Sequence, residues 1–305
     1  MKKSLFLLLL FTFGISIAGK SCPICGCGGG NVYMGLLPDF KYQFIGLRFH
    51  TTQYHTQLIN DPSQFSTNNY NTVELWGGVR LGKKIQLLAF IPYYMNKQVD
   101  DDGTTYTHGL GDITVMGQYQ IFSSTKRLAS HKLLTQQLWI GGGIKLPTGP
   151  FNVNLLDSNT TVADINAQIG TGSVDFLING MYSLSVRNFG VSLTANYKVN
   201  TVNTDQYKYG NKFQSNLIAF YRFAGKGPTT TPNLGLGYEN VAINQFSGKS
   251  VQYTGSRILT AIAGVEFDFG KIGVGINGQL PLAQNFAEGQ TKMKFNTMMH
   301  VTYQF

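Results

Sequence analysis

The sequence is poor in charge, nearly free of cysteine and, past residue 20, without a long apolar run. Only 13% of its 305 residues are Asp, Glu, Lys or Arg, against roughly 25% in soluble domains. The longest apolar stretches after residue 20 are a few residues, far short of the roughly 20 that a membrane-crossing helix needs. An exported chain without such helices is either soluble or crosses the bilayer as a closed sheet, because only these satisfy its backbone. No G-x-S-x-G turn or comparable nucleophile motif occurs. His50, His55, His108 and His131 fall at strand ends or in loops with no catalytic partner at useful spacing, so the chain reads as a non-enzyme. The 24 Lys and Arg residues, and a formal charge of +9, are scattered among turns with no basic stripe, which argues against nucleic acid as a partner.

What is present is more telling. Lys2 and Lys3 precede an apolar run from Leu5 to Ile17, and Ser16-Ile17-Ala18 has the small–x–small pattern of a secretory cleavage site. Residues 1–18 therefore read as a signal peptide and 19–39 as a separate Cys/Gly-rich segment, periplasmic or folded into a plug. All three cysteines lie there, in Cys22-Pro-Ile-Cys25-Gly-Cys27-Gly-Gly-Gly30. Thiolates at this spacing suit one soft cation, copper or zinc, with three ligands favouring low-coordinate copper. A Cys22–Cys25 disulfide with Cys27 unpaired, in an oxidising compartment, is the alternative. Lipid attachment at Cys22 is disfavoured by Lys20, and covalent haem attachment by the lack of a His after Cys25.

From residue 40 to 305 the pattern is about ten residues of alternating polarity followed by a turn. Strict alternation puts successive side chains on opposite faces of a strand. Val73, Leu75, Gly77, Val79 and Leu81 oppose Thr72, Glu74, Trp76, Gly78 and Arg80. Val191, Leu193, Ala195, Tyr197 and Val199 oppose Ser192, Thr194, Asn196, Lys198 and Asn200. The last segment sets Met293, Phe295, Thr297, Met299, Val301, Tyr303 and Phe305 against Lys292, Lys294, Asn296, Met298, His300, Thr302 and Gln304. Twelve strands are predicted near 40–50, 71–82, 85–95, 111–123, 134–146, 174–186, 189–200, 212–224, 233–241, 256–269, 271–282 and 291–305.

The connections decide between a soluble sandwich and a membrane barrel. One set is short (82–84, 187–188, 270–271) or moderate (124–133, 225–232). The other is long and polar (51–70, 96–110, 147–173, 201–211, 242–255, 283–290). Short turns on one rim and long loops on the other characterise outer-membrane barrels, whose apolar face meets lipid. Aromatics at 13% and 36 glycines suit such a wall. Lys83, Lys84, Lys126, Arg127 and Lys271 mark the short-turn rim, while Asp61, Asp100, Asp101, Asp102, Asp157 and Asp205 mark the other. The fold class read here is all-β: a closed antiparallel transmembrane barrel of about twelve strands. Its partners are the lipid bilayer of the outer membrane and the barrel-assembly machinery, which reads a terminal strand ending in an aromatic such as Phe305.

Three segments carry a family resemblance: His108-Gly109-Leu110-Gly111-Asp112-Ile113 with Tyr119, Gly143-Ile144-Lys145-Leu146-Pro147-Thr148-Gly149, and Gly170-Thr171-Gly172-Ser173-Val174-Asp175-Phe176. Their order resembles the Gly-x-Gly-Asp, Leu-Pro-Thr-Gly and Gly-Thr-Gly-Ser-x-Asp motifs of the exported barrels of the meta-pathway phenol-degradation family. The resemblance spans about a quarter of the chain and implies an outer-membrane transporter. It does not name a solute. Each motif sits where a strand meets an outer loop, and Asp112 and Asp175 are expected to cap loop amides at the mouth. Val162, Ile165 and Ile169, after Thr160 or Thr161, have the spacing of a short amphipathic turn across that mouth.

The inward face is expected to carry Glu74, Trp76, Arg80, Phe90, Tyr94, Asp112, Trp139, Lys145, Asp175, Lys198, Arg222, Glu266 and His300. Opposed charges there should pair and fill a narrow interior, while the aromatics among polar groups read either as interior packing or as a path for small, partly hydrophobic solutes. The expected function is an outer-membrane channel or transporter for small molecules. The alternative is a non-conducting structural or binding barrel whose N-terminal cysteines handle metal.

Overall fold

The computed structural model describes residues 43–57, 65–101, 103–127, 132–152 and 168–305. The cysteine segment and the cleavage site lie outside these residues, as do Val162 and Ile165. Among the described residues no helix is long and apolar enough to cross a membrane.

Twelve long strands form one closed antiparallel ring. In chain order they are β1 (Phe44–Gln57), β2 (Phe65–Leu81), β3 (Ile85–Asp100), β5 (Thr114–Arg127), β6 (Leu133–Lys145), β7 (Asp175–Val186), β8 (Phe189–Val199), β10 (Lys212–Tyr221), β11 (Thr229–Val241), β14 (Ser256–Asp268), β15 (Ile272–Phe286) and β16 (Thr291–Gln304). Four shorter elements decorate the long-loop rim: β4 (Gly103–Leu110), β9 (Tyr207–Lys208), β12 (Gln245–Phe246) and β13 (Lys249–Ser250). Each ring strand pairs with its neighbours in sequence, and β1 closes on β16 from Phe44↔Gln304 to Thr56↔Thr291. That closure leaves the ring without an edge, which is the condition for a sheet in hydrocarbon.

Alternation decides which way each side chain faces. Leu47, Leu75, Tyr119, Leu193, Leu217, Leu236, Ile276 and Val301 are exposed on the outer wall. Their sequence neighbours Arg48, Glu74, Trp76, Gln118, Ser192, Asn216 and His300 are buried inside. A soluble sandwich would invert this, hiding the apolar face. The chain is therefore an outer-membrane barrel, with both ends of the ring returning to the short-turn rim.

Two expectations need correction. The expected loop segments 51–57, 65–70, 96–100, 103–110 and 283–286 instead continue β1, β2, β3 and β15 and form β4. Strands of 17 and 16 residues, β2 and β3, exceed the roughly 9–11 residues that cross a bilayer. Their upper parts stand above the lipid, so the outer face turns polar and hydrophobic alternation fades while backbone pairing continues. The second concerns β16. A bulge opposite Gln53 and Tyr54 skips Lys294 and reverses the faces above it. Met293 is thus buried with Ile258 and Phe286, and Lys292 and Lys294 are exposed.

Leu193 lies midway along β8 and is exposed on the outer wall. Leu193→Arg should cost about 2–4 kcal/mol of barrel stability in bilayers, read by denaturant refolding into vesicles. The same substitution at Tyr106, on the projecting hairpin of β3 and β4, should cost well under half as much.

Candidate functional site

Three sequence motifs from separate connections meet at the long-loop rim. Lys145, at the top of β6, is almost fully buried, and its Nζ lies 2.5 Å from Asp112 Oδ2 and 2.9 Å from Asp175 Oδ2. It also donates to Thr171 Oγ1 and, at 3.4 Å, to the Ser173 carbonyl. Asp112 Oδ1 accepts the Gly149 amide at 3.0 Å, and its Oδ2 accepts the Thr171 amide at 3.0 Å. Asp175 Oδ1 accepts the Ser173 hydroxyl at 2.9 Å and the Thr201 amide at 3.0 Å. Thr148 completes the knot, accepting the Ile113 amide at 2.9 Å and donating to the Gly111 carbonyl at 2.8 Å.

The glycines of the motifs have a steric reason. A Cβ on Gly170 would strike the Gly149 carbonyl, and one on Gly149 would come within 2.9 Å of the Gly170 Cα and 3.1 Å of Gly111. Three backbones touch here because none carries a side chain at the contact. Chemically the node is a structural clamp. Its cation is enclosed by two carboxylates whose other lone pairs are spent on loop amides.

The clamp extends into the neighbouring loops. Asn203 donates to the Thr171 carbonyl at 3.1 Å and accepts the Tyr207 amide at 2.8 Å. Asn244 donates to the Tyr207 hydroxyl at 2.8 Å and accepts the Gly210 amide at 2.8 Å. Phe151 packs on Tyr209, ring centroids 6.4 Å apart. Ile169, the described member of the proposed amphipathic turn, is buried in a bend against Gly109.

A second cluster occupies the interior nearer the middle of the strands. Arg48 Nη2 lies 3.0 Å from Glu74 Oε1, with its guanidinium 4.2 Å from the Trp76 centroid and 5.7 Å from that of Phe90. His300 Nε2 meets Glu266 Oε2 at 3.1 Å, and its ring stands edge-on to Trp76 at 6.1 Å. The pair can form because Gly275 lies on the strand between them: a Cβ there would overlap both side chains.

The remaining expected residues sort by height. Tyr94 and Phe90 face inward on β3, and Trp139 does so on β6, all buried. Arg80 is near the short-turn rim, its Cζ 5.8 Å from the Trp139 ring and its Nη2 donating to the Lys83 carbonyl. Lys198 faces inward on β8, opposite Lys212 of β10, and Lys212 pairs with Glu239 at 2.9 Å. Arg222 lies beyond β10 at the short-turn rim, where its amide donates to the Asn188 carbonyl at 2.8 Å. It is not among the residues of the span.

The candidate residues read from the sequence leave out Arg48 and a row of inward amides. Ile45, Leu47 and Phe49 facing outward imply that Gly46, Arg48 and His50 face inward, so the signal for Arg48 existed. Gln118 donates to Asn179, and Asn179 to Asn196, across β5, β7 and β8. Asn216, Asn233 and Asn277 carry buried amides inward from β10, β11 and β15. The opposite arc, β1 to β7, buries Phe44, Trp76, Leu88, Phe90, Met116, Trp139, Leu177 and Met181 as one apolar cluster.

The family described as "Putative MetA-pathway of phenol degradation" matches residues 51–291, a span that includes all three motifs. The chain belongs to this family. Among solved structures, this phenol-degradation-family barrel is similar to the COG4313 outer membrane channel from Pseudomonas putida F1. The two share 16% identity with a TM-score of 0.59, covering 87% of this chain and 96% of the other. It also matches the transport unit of the autotransporter AIDA-I from Escherichia coli at 11% identity and TM-score 0.49, over 91% and 95% of the two chains. The β domain of the Bordetella autotransporter BrkA matches at 12% and 0.48, over 87% and 100%. No curated protein matches the sequence. At these identities the likeness is one of fold.

Removing one member of a buried ion cluster leaves the others uncompensated, typically at about 3–5 kcal/mol. Lys145→Met should destabilise the barrel by that order in vesicle-based urea unfolding. Adding Asp112→Asn and Asp175→Asn to it should restore more than half of the loss. A triple variant no more stable than Lys145→Met would show that the carboxylates act independently of the lysine.

Proposed function

We propose that the barrel conducts small molecules across the outer membrane, favouring solutes that carry both an apolar face and hydrogen-bonding groups. The observation that carries this reading is the division of the inner wall. Aromatic and aliphatic side chains form one cluster along the arc from β1 to β7, interrupted by Arg48, Glu74, Gln86, Gln118, Gln120 and Asn179. Carboxamides and hydroxyls of Asn196, Gln214, Asn216, Thr231, Asn233, Thr260 and Asn277 dominate the arc from β8 to β15. A membrane anchor or inert scaffold has no need of inward amides, since each buried amide costs free energy unless bonded. Among the described residues, amide groups of Asn216, Asn233 and Asn277 find no hydrogen-bond partner, so a polar solute passing them would supply one.

Family membership and the closed ring support the same reading, as does the likeness to a barrel named as a channel. The charged and aromatic cluster of Arg48, Glu74, Trp76, Phe90, Glu266 and His300 sits inside the ring and narrows it. Passage therefore requires these side chains to move, and a wide unselective pore is not expected. Insertion by the assembly machinery, with the terminal strand through Tyr303 and Phe305 as its signal, is part of this proposal.

Purified barrel in planar bilayers should give stable, small single-channel steps. Trp76→Ala together with Phe90→Ala, which open the narrow part, should enlarge them severalfold. Silence of both the parent and this variant would contradict conduction and favour a binding barrel, in which metal handling by Cys22, Cys25 and Cys27 would be the function to pursue.

A further inference from the structure

The clamp and its loops gather over the β6 to β14 side of the mouth. The inner face of the projecting β2–β3–β4 sheet is lined differently. Two cross-strand rows run over it: Tyr70, Asn96 and Thr107 in one, Asn68, Gln98 and Thr105 in the other. They face inward because they share the strand parity of Glu74 and Trp76 on β2, and of Phe90 and Tyr94 on β3. Together with Gln168 from the long loop they border a cavity of about 410 Å³, inside the roughly 300–1,000 Å³ of small-molecule sites.

We infer that this cavity is a binding site for a neutral, polyhydroxylated solute of sugar size, the first station on the proposed route inward. The inference names a solute class for the mouth of that route and rests on the reading of passage above. The chemistry of the lining selects the ligand. Carboxamides and hydroxyls each donate and accept, and the ligand groups that answer both roles at once are hydroxyls. Asn96 lines the cavity, and among the described residues its Oδ1 has no hydrogen-bond partner. Asn68 already donates to Ser66 Oγ at 3.1 Å, and Gln98 to Asp100 Oδ2 at 3.0 Å, so both side chains are held in place. The Tyr70 ring adds one apolar surface, of the kind on which the C–H face of a sugar ring can rest.

Other solutes fit worse. An apolar molecule would strand the amides, a penalty that sites built for hydrogen bonding impose strongly. An anion would meet Asp100, while Lys97, the cation among the described lining residues, carries its Nζ to 5.8 Å from the exposed Tyr106 ring. A cation would find a single carboxylate already engaged by Gln98. The site also faces the interior, out of reach of headgroups in the surrounding leaflet.

The test is calorimetric titration of the full barrel in nanodiscs with D-glucose and maltose, with phenol and benzoate as comparators. Saturable sugar binding is expected, with Asn96→Leu weakening it about tenfold and Thr107→Val severalfold, as for the loss of one hydrogen bond each. Urea midpoints equal to the parent's would show both variants folded, and either one suffices for the comparison. Absence of saturable sugar binding overturns the inference, as does binding that a folded variant leaves unchanged, or tighter binding of phenol or benzoate. Because the readout is binding, a barrel that conducts but ignores sugars contradicts this inference alone. One that binds sugars yet stays silent in bilayers contradicts only the proposal of passage.

Discussion

In hydrocarbon an unpaired strand edge leaves a row of backbone donors and acceptors with nothing to bond, at several kcal/mol per group. The pairing of β1 with β16 removes that edge, and the rest of the architecture follows from it. A ring of twelve strands has a fixed, small interior. Whatever faces inward must pack against other inward groups, and whatever is polar there must find a partner inside the ring. The outer wall has the opposite requirement, and Leu47, Leu193, Ile276 and Val301 meet it by being apolar.

The inward residues divide that task by height. At the long-loop rim Lys145, Asp112 and Asp175 spend nearly all their hydrogen-bonding capacity on one another and on loop amides, which fixes three connections in one place. Midway, the Arg48–Glu74 ion pair and the His300–Glu266 contact are buried among Trp76 and Phe90. Buried pairs of this kind add little net stability relative to apolar packing. What they provide is a narrow, polar-compatible constriction. The amides of β8 to β15 are less fully bonded than the rim clamp, and they, more than the charges, carry the case for a solute path.

Much of the fold was legible in the sequence because lipid and interior impose opposite chemistries on alternate residues. Segments such as 71–82 and 189–200 announce their faces directly. The reading failed where lipid stops dictating the pattern. Above the bilayer both faces of β2, β3 and β4 are polar, so Thr104, Thr105 and Thr107 read as loop although they pair as strand. It failed again at Lys294, because one extra residue at a bulge reverses every face beyond it and leaves no local mark. The clamp was half visible. Its three motifs and the capping role of Asp112 and Asp175 could be read from glycine placement and strand ends. That all three converge on Lys145 is a property of the closed ring. Arg48 was readable from the parity of β1, whereas the amide row depends on which strands become neighbours.

The account stands on the outward orientation of the apolar face, and spin labels placed singly at each position from Ser192 to Tyr197 on β8 test it most directly. In a background with Cys22, Cys25 and Cys27 changed to serine and the barrel in lipid vesicles, labels at 193, 195 and 197 should be relaxed strongly by oxygen. They should be relaxed weakly by a water-soluble nickel chelate, and labels at 192, 194 and 196 should be shielded from oxygen. Shielding of 193, 195 and 197 from both reagents would place that face between protein layers and contradict the membrane barrel.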